Sequence, residues 1–278
     1  MNGLVNWEAL RRQRFAMLRD PKTPNVDWNA MAEMYDGMAK LEKSFTQKQV
    51  DAMGITQDDT VVDIGCGPGR LTVPMAQKAK SVTCVDAFEK MLERCVQNVR
   101  DAGLHNVKPL LQSWLDEDAV AKIGKHDIAV ASRSVGMFDI LKLNQLATKY
   151  VFVMSFANAP SLREIQLDFL EGITDISPMK KLPDERMFDY NLTFNTIYDL
   201  GANPSVVVLD DGFERIYDSK EEAYQHLRFV GKILPEHEER YRYNVDRCLM
   251  PLEDGRWRML RKTQTYVMWW KPSELHLP

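Results

Sequence analysis

Residues 61–72 read VVDIGCGPGRLT, and this stretch decides the fold of the chain. Its first residues, mostly β-branched, predict a short buried strand, and the glycines that follow predict a sharp turn into a helix. Gly65, Gly67 and Gly69 suit such a turn, because the reversal needs unusual backbone dihedrals and a closely approaching ligand leaves no room for a Cβ. A strand, a glycine turn and a helix in this order build a nucleotide-type cofactor site.

The spacing of the glycines and the charge before them indicate which ligand binds. Dinucleotide sites read GxGxxG, whereas the spacing here is GxGxG and Arg70 occupies the next position. Asp63 would repel a pyrophosphate, yet its carboxylate suits a ligand that carries an ammonium group and a sulfonium. A second run, SVTCVD at 81–86, ends a predicted strand on Asp86, where a bound ribose needs a hydroxyl acceptor. Together these residues predict a site for S-adenosylmethionine.

The glycine run resembles the first motif of the class I S-adenosylmethionine-dependent methyltransferases of the small-molecule type, and Asp86 matches the acid that ends their second strand. The resemblance covers residues 25–155. It implies that the methionine part of the cofactor lies beside Asp63 and the glycine turn, and that Asp86 accepts both ribose hydroxyls. It also implies that the adenosine packs near Phe88 and Met91.

The chain departs from the family after the third predicted strand. Family members often carry an aspartate there that meets the adenine amino group, but residues 110–116 read LLQSWLD. We expect Ser113 and Trp114 to take its place. Ligands in such sheets bind beyond the carboxyl ends of the strands, which adds residues after the fourth strand. The predicted cofactor-binding residues are Tyr35, Asp63, Gly65, Cys66, Gly67, Gly69, Asp86, Phe88, Met91, Ser113, Trp114, Ser132 and Arg133.

Strands and helices alternate from Thr60 onward and predict an α/β fold. The expected architecture is a doubly wound, Rossmann-like sheet of seven mostly parallel strands, with an N-terminal helical lid and a C-terminal α/β insertion. The predicted strands are 60–64, 81–86, 107–111, 127–131, 150–155, 205–209 and 265–270, and the predicted helices of the core are 70–79, 88–102 and 140–147.

Three parts are expected in the chain. Residues 1–45 form a helical lid and packing segment, in which a basic amphipathic helix at 4–19 is a packing or subunit-contact element and leaves a homodimer open. Residues 46–155 form the cofactor-binding core. Residues 156–278 form a substrate or lid insertion plus the final strands of the same sheet. Capping boxes predict helix starts in this last part, at Ser161 with Glu164 and at Ser219 with Glu222.

Composition narrows the functions that fit. The 278 residues carry a net charge of −4, so a general basic field for nucleic acid is absent and a small-molecule acceptor is expected. Four cysteines without paired or metal-ligand spacing predict a reducing cytoplasm and no metal site. The apolar runs are too short to predict a membrane segment.

The expected reaction is in-line attack of a small acceptor on the sulfonium methyl in a site closed by a lid. Ser132 to Gly136 read SRSVG and lack the Asn-Pro-Pro-aromatic signature of many nucleic-acid and protein amino-group methyltransferases. Two alternatives stay open, an aminopropyl or aminocarboxypropyl transferase on the same frame and a noncatalytic cofactor-binding module. No catalytic base is assigned; the candidates are Tyr35, His226 and His237, whereas His105 and His126 are expected at the opposite edge of the sheet.

Overall fold

The protein is described by a computed structural model that covers residues 5–18, 26–157, 160, 167–173, 190–230 and 233–276. Its strands form one mixed sheet in the order β3-β2-β1-β4-β5-β8-β6, with β7 paired to β8. Strands β1 to β5 are parallel, and β8 runs antiparallel to β5, β6 and β7. The strands are β1 Thr60–Ile64, β2 Ser81–Asp86, β3 Val107–Leu111, β4 His126–Ser132, β5 Ala147–Phe156, β6 Ser205–Tyr217, β7 Leu249–Pro251 and β8 Trp257–Trp270.

Helices cover both faces of this sheet, as the predicted doubly wound fold requires. Strand β1 shows the effect, because Val61, Val62 and Ile64 are all 0% exposed although their side chains alternate between faces. None of the described helices has the length and apolar character needed to cross a membrane. The helices are α1 Trp7–Leu18, α2 Trp28–Leu41, α3 Lys43–Asp51, α4 Thr72–Ala76, α5 Glu89–Asp101, α6 Ala119–Ile123, α7 Ile140–Asn144, α8 Tyr190–Asp199, α9 Lys220–His226 and α10 Glu238–Asp246.

The strand order places a crevice between β1 and β4. After β1 the chain adds β2 and β3 on one side, and it then crosses to place β4 and β5 on the other side. Such a topological switch point leaves a cleft at the carboxyl ends of the two central strands, where ligands of open α/β sheets bind. The glycine turn follows β1 and therefore lies at this cleft.

The last two long strands extend beyond the sheet. Strand β6 pairs with β8 from Ser205↔Trp269 to Tyr217↔Trp257, whereas the pairing of β5 with β8 ends at Phe156↔Thr265. The overhanging ribbon carries β7 and packs with α9 and α10 around a second core. Buried members of that core include Leu41, Phe169, Phe213, Tyr217, Tyr224, Tyr241, Val245 and Met259.

Several predicted boundaries were wrong. The strand predicted at 205–209 extends to Tyr217 and includes Gly212. A Cβ at position 212 would lie 2.9 Å from the Arg261 carbonyl oxygen and from the Phe45 ring. This glycine therefore allows close packing within the strand and does not mark a turn. The helix predicted at 70–79 is reduced to α4, and the helix at 140–147 ends at Asn144. The Ser219 capping box is confirmed, since its Oγ accepts the Glu222 N–H at 3.1 Å; Ser161 and Glu164 lie outside the described residues.

Candidate cofactor site

The glycine turn uses its glycines for different purposes. All three have positive φ, at 71° for Gly65, 54° for Gly67 and 88° for Gly69. A Cβ at Gly65 would lie 2.5 Å from the Cβ of Ser134, and one at Gly69 would lie 2.8 Å from the Sγ of Cys95. A Cβ at Gly67 would meet nothing within 4 Å. The first and third glycines are therefore needed for packing, whereas the middle one borders open space.

The carboxylate of Asp86 is oriented by this turn. It is 8% exposed at the end of β2, where Oδ2 accepts the Gly67 N–H at 2.9 Å and Oδ1 accepts the Phe88 N–H at 3.0 Å. Burial raises the pKa of Asp86, and the hydrogen bonds from Phe88 and Gly67 act against that rise. An ionised carboxylate has about four acceptor positions, so the two backbone bonds leave capacity for two hydroxyls.

Asp63 lies deeper, on β1, and has a different electrostatic character. It is 2% exposed and accepts a hydrogen bond from Thr72 Oγ1 at 2.7 Å. Burial raises the pKa of Asp63 to about 7. A cationic group bound beside it would favour the ionised form and lower that pKa again. Asp63 is therefore a carboxyl whose charge depends on a cationic neighbour near neutral pH.

Helix α2 is fastened over the glycine turn through α5. The Asn98 side-chain amide donates to Asp36 of α2 at 2.7 Å and to the Pro68 carbonyl at 2.8 Å. Tyr35 lies on the same helix and packs edge-to-face with Trp28, with ring centroids 5.6 Å apart. Burial raises the pKa of Tyr35. The helix predicted as a lid thus rests on the turn.

Of the predicted adenosine contacts, Phe88 immediately precedes α5 and is half-buried, whereas Met91 is only 3% exposed. After β3, Trp114 is buried within the sheet core, with the Lys142 Nζ 4.7 Å from the centroid of its ring. Ser113 Oγ accepts the Leu115 N–H at 3.2 Å. The structure therefore places Trp114 in the core and Ser113 at a half-buried turn.

Sequence reasoning missed Gln112 in this loop. Its N–H donates to the Asp86 carbonyl at 2.9 Å, and its side-chain amide donates to Asp116 Oδ2 at 2.6 Å. Gln112 and Asp116 thus present polar groups next to the acid that ends β2. Position 112 follows β3 directly, which is the signal that could have identified it.

Arg133 is held in a buried ion-pair network at the end of β4. Among the described residues it is the one non-glycine residue with positive φ, at 51°. Its guanidinium donates to Glu42 Oε2 at 2.7 Å, to Asp211 Oδ2 at 3.0 Å and to Thr265 Oγ1 at 2.9 Å. The same group stacks on the Phe156 ring, 3.6 Å from its centroid. Both terminal nitrogens of Arg133 are therefore engaged within the protein.

Arg70 connects this network to the glycine turn. It donates to Gln49 Oε1 and to Ser132 Oγ, each at 2.7 Å, and its Nη1 lies 3.5 Å from Glu42 Oε2. Gln49 in turn donates to Asp211 Oδ2 at 2.9 Å. The positive charges of Arg70 and Arg133 are thus balanced within the protein by the carboxylates of Glu42 and Asp211. These residues join the α2–α3 junction, the glycine turn, β4 and β6.

Comparison with known proteins identifies the region around the turn, since residues 61–153 match the family model of a methyltransferase domain. This region is a class I S-adenosylmethionine-dependent methyltransferase domain. S-adenosylmethionine is the cofactor of the domain. The resemblance to class I methyltransferases, the mostly parallel α/β sheet and the cofactor predicted from the sequence are confirmed.

The curated relatives of the methyltransferase domain differ in their acceptors. An uncharacterised protein of Haemophilus influenzae is 31% identical over 166 residues, which are 58% of this chain and 61% of that protein. A 23S rRNA (uracil(1939)-C(5))-methyltransferase of Haemophilus ducreyi is 24% identical over 45% of this chain and 29% of its own length. A probable cobalt-precorrin-6B C(15)-methyltransferase of Methanocaldococcus jannaschii is 24% identical over 55% of this chain and 86% of that protein. The chain therefore spans less than two thirds of the first two relatives.

One solved structure with a similar fold is the magnesium protoporphyrin IX methyltransferase of Synechocystis PCC 6803 with bound SAH. It is 14% identical, has a TM-score of 0.46, and is matched over 96% of this chain and 100% of its own.

The histidines considered from the sequence lie away from the glycine turn. His126 begins β4 at the opposite edge, as expected, and its Nε2 lies 2.9 Å from Thr83 Oγ1. His226 ends α9 beside the second core, where its Nδ1 lies 3.0 Å from the Tyr217 hydroxyl. Burial lowers the pKa of His226 to about 4. His105 is exposed before β3, and His237 lies just before α10.

Proposed function

We propose that the protein transfers the methyl group of S-adenosylmethionine to a small-molecule acceptor. The orientation of Asp86 carries this proposal. Its carboxylate is fixed by the Gly67 and Phe88 N–H groups and retains acceptor positions for two ribose hydroxyls. The thirteen residues predicted from the sequence remain the proposed cofactor contacts, and Gln112 joins them.

Binding of the methionine part is assigned to Asp63 and to the turn around Gly67. The open space beside Gly67 admits a ligand against the backbone. The ammonium group of the ligand favours the ionised form of Asp63, which burial otherwise disfavours. When bound, the cofactor supplies an electrophilic methyl group on a good leaving group.

Positioning is the main catalytic contribution that we assign to the protein. Holding two reactants in a near-attack geometry contributes about 7 to 11 kcal/mol in favourable cases. Helix α2 serves as the lid that excludes water, because Asn98 ties its Asp36 to the glycine turn at Pro68. Tyr35 on this helix is the candidate base that lies nearest the site, whereas His226 is committed to Tyr217 and Arg215.

A small acceptor fits the charge distribution better than RNA does. The net charge is −4, and the two arginines at the site are neutralised by Glu42 and Asp211. RNA binding draws on cations that are available to phosphates. We assign acceptor selection to residues 156–278 and the lid to residues 1–45. The proposed compartment is the cytoplasm, and the choice between a monomer and a homodimer stays open.

The test is transfer from methyl-labelled S-adenosylmethionine to cell extract divided into a low-molecular-mass fraction, RNA and protein. Label in a low-molecular-mass product that separates from S-adenosylmethionine and methylthioadenosine on chromatography, lost in Asp86→Ala, is the expected result. Label confined to RNA would contradict the proposed acceptor class. Release of methylthioadenosine in place of S-adenosylhomocysteine would identify an aminopropyl or aminocarboxypropyl transferase, and binding without transfer would identify a noncatalytic module.

A further inference from the structure

Three cysteines without recognisable spacing in the sequence meet beneath the glycine turn. Cys66 lies within the turn, Cys84 on β2 and Cys95 on α5, and their Sγ atoms all lie within 4.8 Å of one another. Cys84 and Cys95 are 0% exposed, whereas Cys66 is 6% exposed. The cluster is therefore buried, with its most accessible thiol on the side of the cofactor turn.

Cys66 and Cys95 each contact a part of the glycine turn. Cys66 stands between Gly65 and Gly67, and the N–H of Gly67 is the group that orients Asp86. Cys95 packs against Gly69, since a Cβ added there would lie 2.8 Å from its Sγ. The cluster is therefore in direct contact with the turn at both Cys66 and Gly69.

We propose that Cys66 forms a reversible disulfide with Cys84 and that this bond weakens cofactor binding. This proposal rests on the cofactor function proposed above. The Cys66 N–H donates to the Val85 carbonyl at 3.1 Å, which holds Cys66 beside the residue that follows Cys84 on β2. The sulfurs of a disulfide are about 2.05 Å apart, so Sγ atoms within 4.8 Å of one another can form the bond after a small movement.

The chemistry requires a peroxide as oxidant and one thiolate in the cluster. Hydrogen bonds from Cys66 and then from Cys95 lower the pKa of Cys84 to about 5. Cys66 keeps its proton, because its hydrogen bonds to Cys84 and Cys95 and its burial raise its pKa above the usual value for a thiol. The Cys84 thiolate attacks peroxide, forming a sulfenic acid and releasing hydroxide, which takes the proton of the Cys66 thiol. The Cys66 thiolate then displaces hydroxide from the Cys84 sulfur, so two thiols and one peroxide yield a disulfide and two waters.

The surroundings of the cluster favour a disulfide over a bound metal ion. Leu92 and Val99 share this small core, and Asp63 and Asp86 lie close enough to interact with the charge of Cys95. Three thiolates around a divalent ion would leave a net negative charge among these groups, which is costly to bury. A disulfide is neutral and apolar and adds no such charge.

Closing the bond brings the two sulfurs to about 2.05 Å from their larger separation. Cys66 must therefore shift toward β2, and the neighbouring Gly67 shifts with it. The hydrogen bond from Gly67 to Asp86 cannot keep its geometry through that movement. Oxidation thus disturbs the group on which ribose binding depends.

The test measures S-adenosylhomocysteine binding by calorimetry before and after treatment with hydrogen peroxide, together with the number of free thiols in denaturant. The reduced protein has four free cysteines. Oxidation is expected to remove two of them, to lower the mass by about 2 Da and to weaken binding about tenfold or more. Dithiothreitol should restore both values, and bound S-adenosylhomocysteine should slow the oxidation.

Variants make the outcome specific. Cys84→Ala and Cys84→Ser, which leave the proposed cofactor contacts in place, should retain binding after peroxide, whereas Cys248→Ser, which alters a buried cysteine in the second core, should respond as the wild type does. Four free thiols after peroxide, or a disulfide that leaves binding unchanged, would overturn the inference; a bond from Cys66 to Cys95 would overturn the choice of Cys84. Failure of the reduced protein to bind would instead contradict the proposed function.

Discussion

The backbone N–H of Gly67 donates to the carboxylate of Asp86 at 2.9 Å, which joins the glycine turn after β1 to the acid that ends β2. We predict that Asp86→Ala weakens S-adenosylhomocysteine binding by about 1.5 to 3 kcal/mol, because hydrogen bonds from a charged group to the ribose are lost. Calorimetry provides the measurement, and Asp118→Ala, at an exposed acid before α6, is the control. Unchanged affinity in Asp86→Ala would remove Asp86 from the site.

The buried ion-pair network predicts a large loss of stability when one arginine is removed. Arg133→Met leaves Glu42 and Asp211 buried without their shared cation, and loss of one partner of a buried pair costs about 3 to 5 kcal/mol. Urea unfolding followed by circular dichroism measures this change. Arg256→Met removes an exposed arginine from its pair with Asp254 and should stay within about 0.5 kcal/mol of wild type. Equal losses in both variants would contradict the structural role of the network.

The two glycines of the turn should respond differently to alanine. Gly65→Ala adds a clash with Ser134 to the cost of positive φ, whereas Gly67→Ala adds only that cost, about 1 to 2 kcal/mol. We therefore expect thermal unfolding to show the greater destabilisation for Gly65→Ala. S-adenosylhomocysteine binding should nevertheless fall in Gly67→Ala, since its new methyl group enters the open side of the turn. A Gly67→Ala protein with wild-type affinity would show that the ligand does not approach there.

The raised pKa of Asp63 predicts how the free energy of unfolding depends on pH. Its pKa is raised from 3.8 to about 7, so between these values the folded state holds a proton that the unfolded state has released. The stabilisation from this group is present below pH 4 and is lost as the pH rises to 7, with a slope of at most about 1.4 kcal/mol per pH unit. Asp63→Asn should flatten the difference between pH 4 and 7 in urea unfolding. An unaltered profile in that variant would contradict the assignment.

The same shift predicts how affinity responds to pH. The ammonium group of the ligand favours ionised Asp63, so S-adenosylhomocysteine should bind more tightly at pH 8 than at pH 6. Calorimetry in buffers of different ionisation enthalpy should show proton release at pH 6. Asp63→Asn should lose both effects, and a wild-type affinity that is independent of pH across this range would rule out the contact.

The cofactor end of the fold was predictable from the sequence because its signals are local. The turn at 61–72 and the acid at Asp86 each depend on a short pattern of strand and glycine residues. The ion-pair network was not predictable, since Glu42, Arg70, Arg133 and Asp211 are far apart in the chain and each resembles a surface charge when read alone. Their pairing depends on the crossing of α2, β4 and β6.

The thiol cluster and the long ribbon escaped prediction for related reasons. Cys66, Cys84 and Cys95 belong to a turn, a strand and a helix, so their spacing resembles no metal or disulfide motif. In β6 the run Asp210-Asp211-Gly212 has the composition of a turn, yet Asp211 pairs with Arg133 and Gly212 packs against Phe45. Tertiary contacts there outweigh the local preference for a turn.

A thermal-shift titration with S-adenosylhomocysteine, with NAD as the contrast, tests the central claim most directly. Ligand at a hundred times its dissociation constant should stabilise the folded protein by about 2.7 kcal/mol. We predict a rise in melting temperature with S-adenosylhomocysteine that is lost in Asp86→Ala, and no rise with NAD. A rise with NAD alone, or no rise with either ligand, would contradict the assignment of this cleft to S-adenosylmethionine.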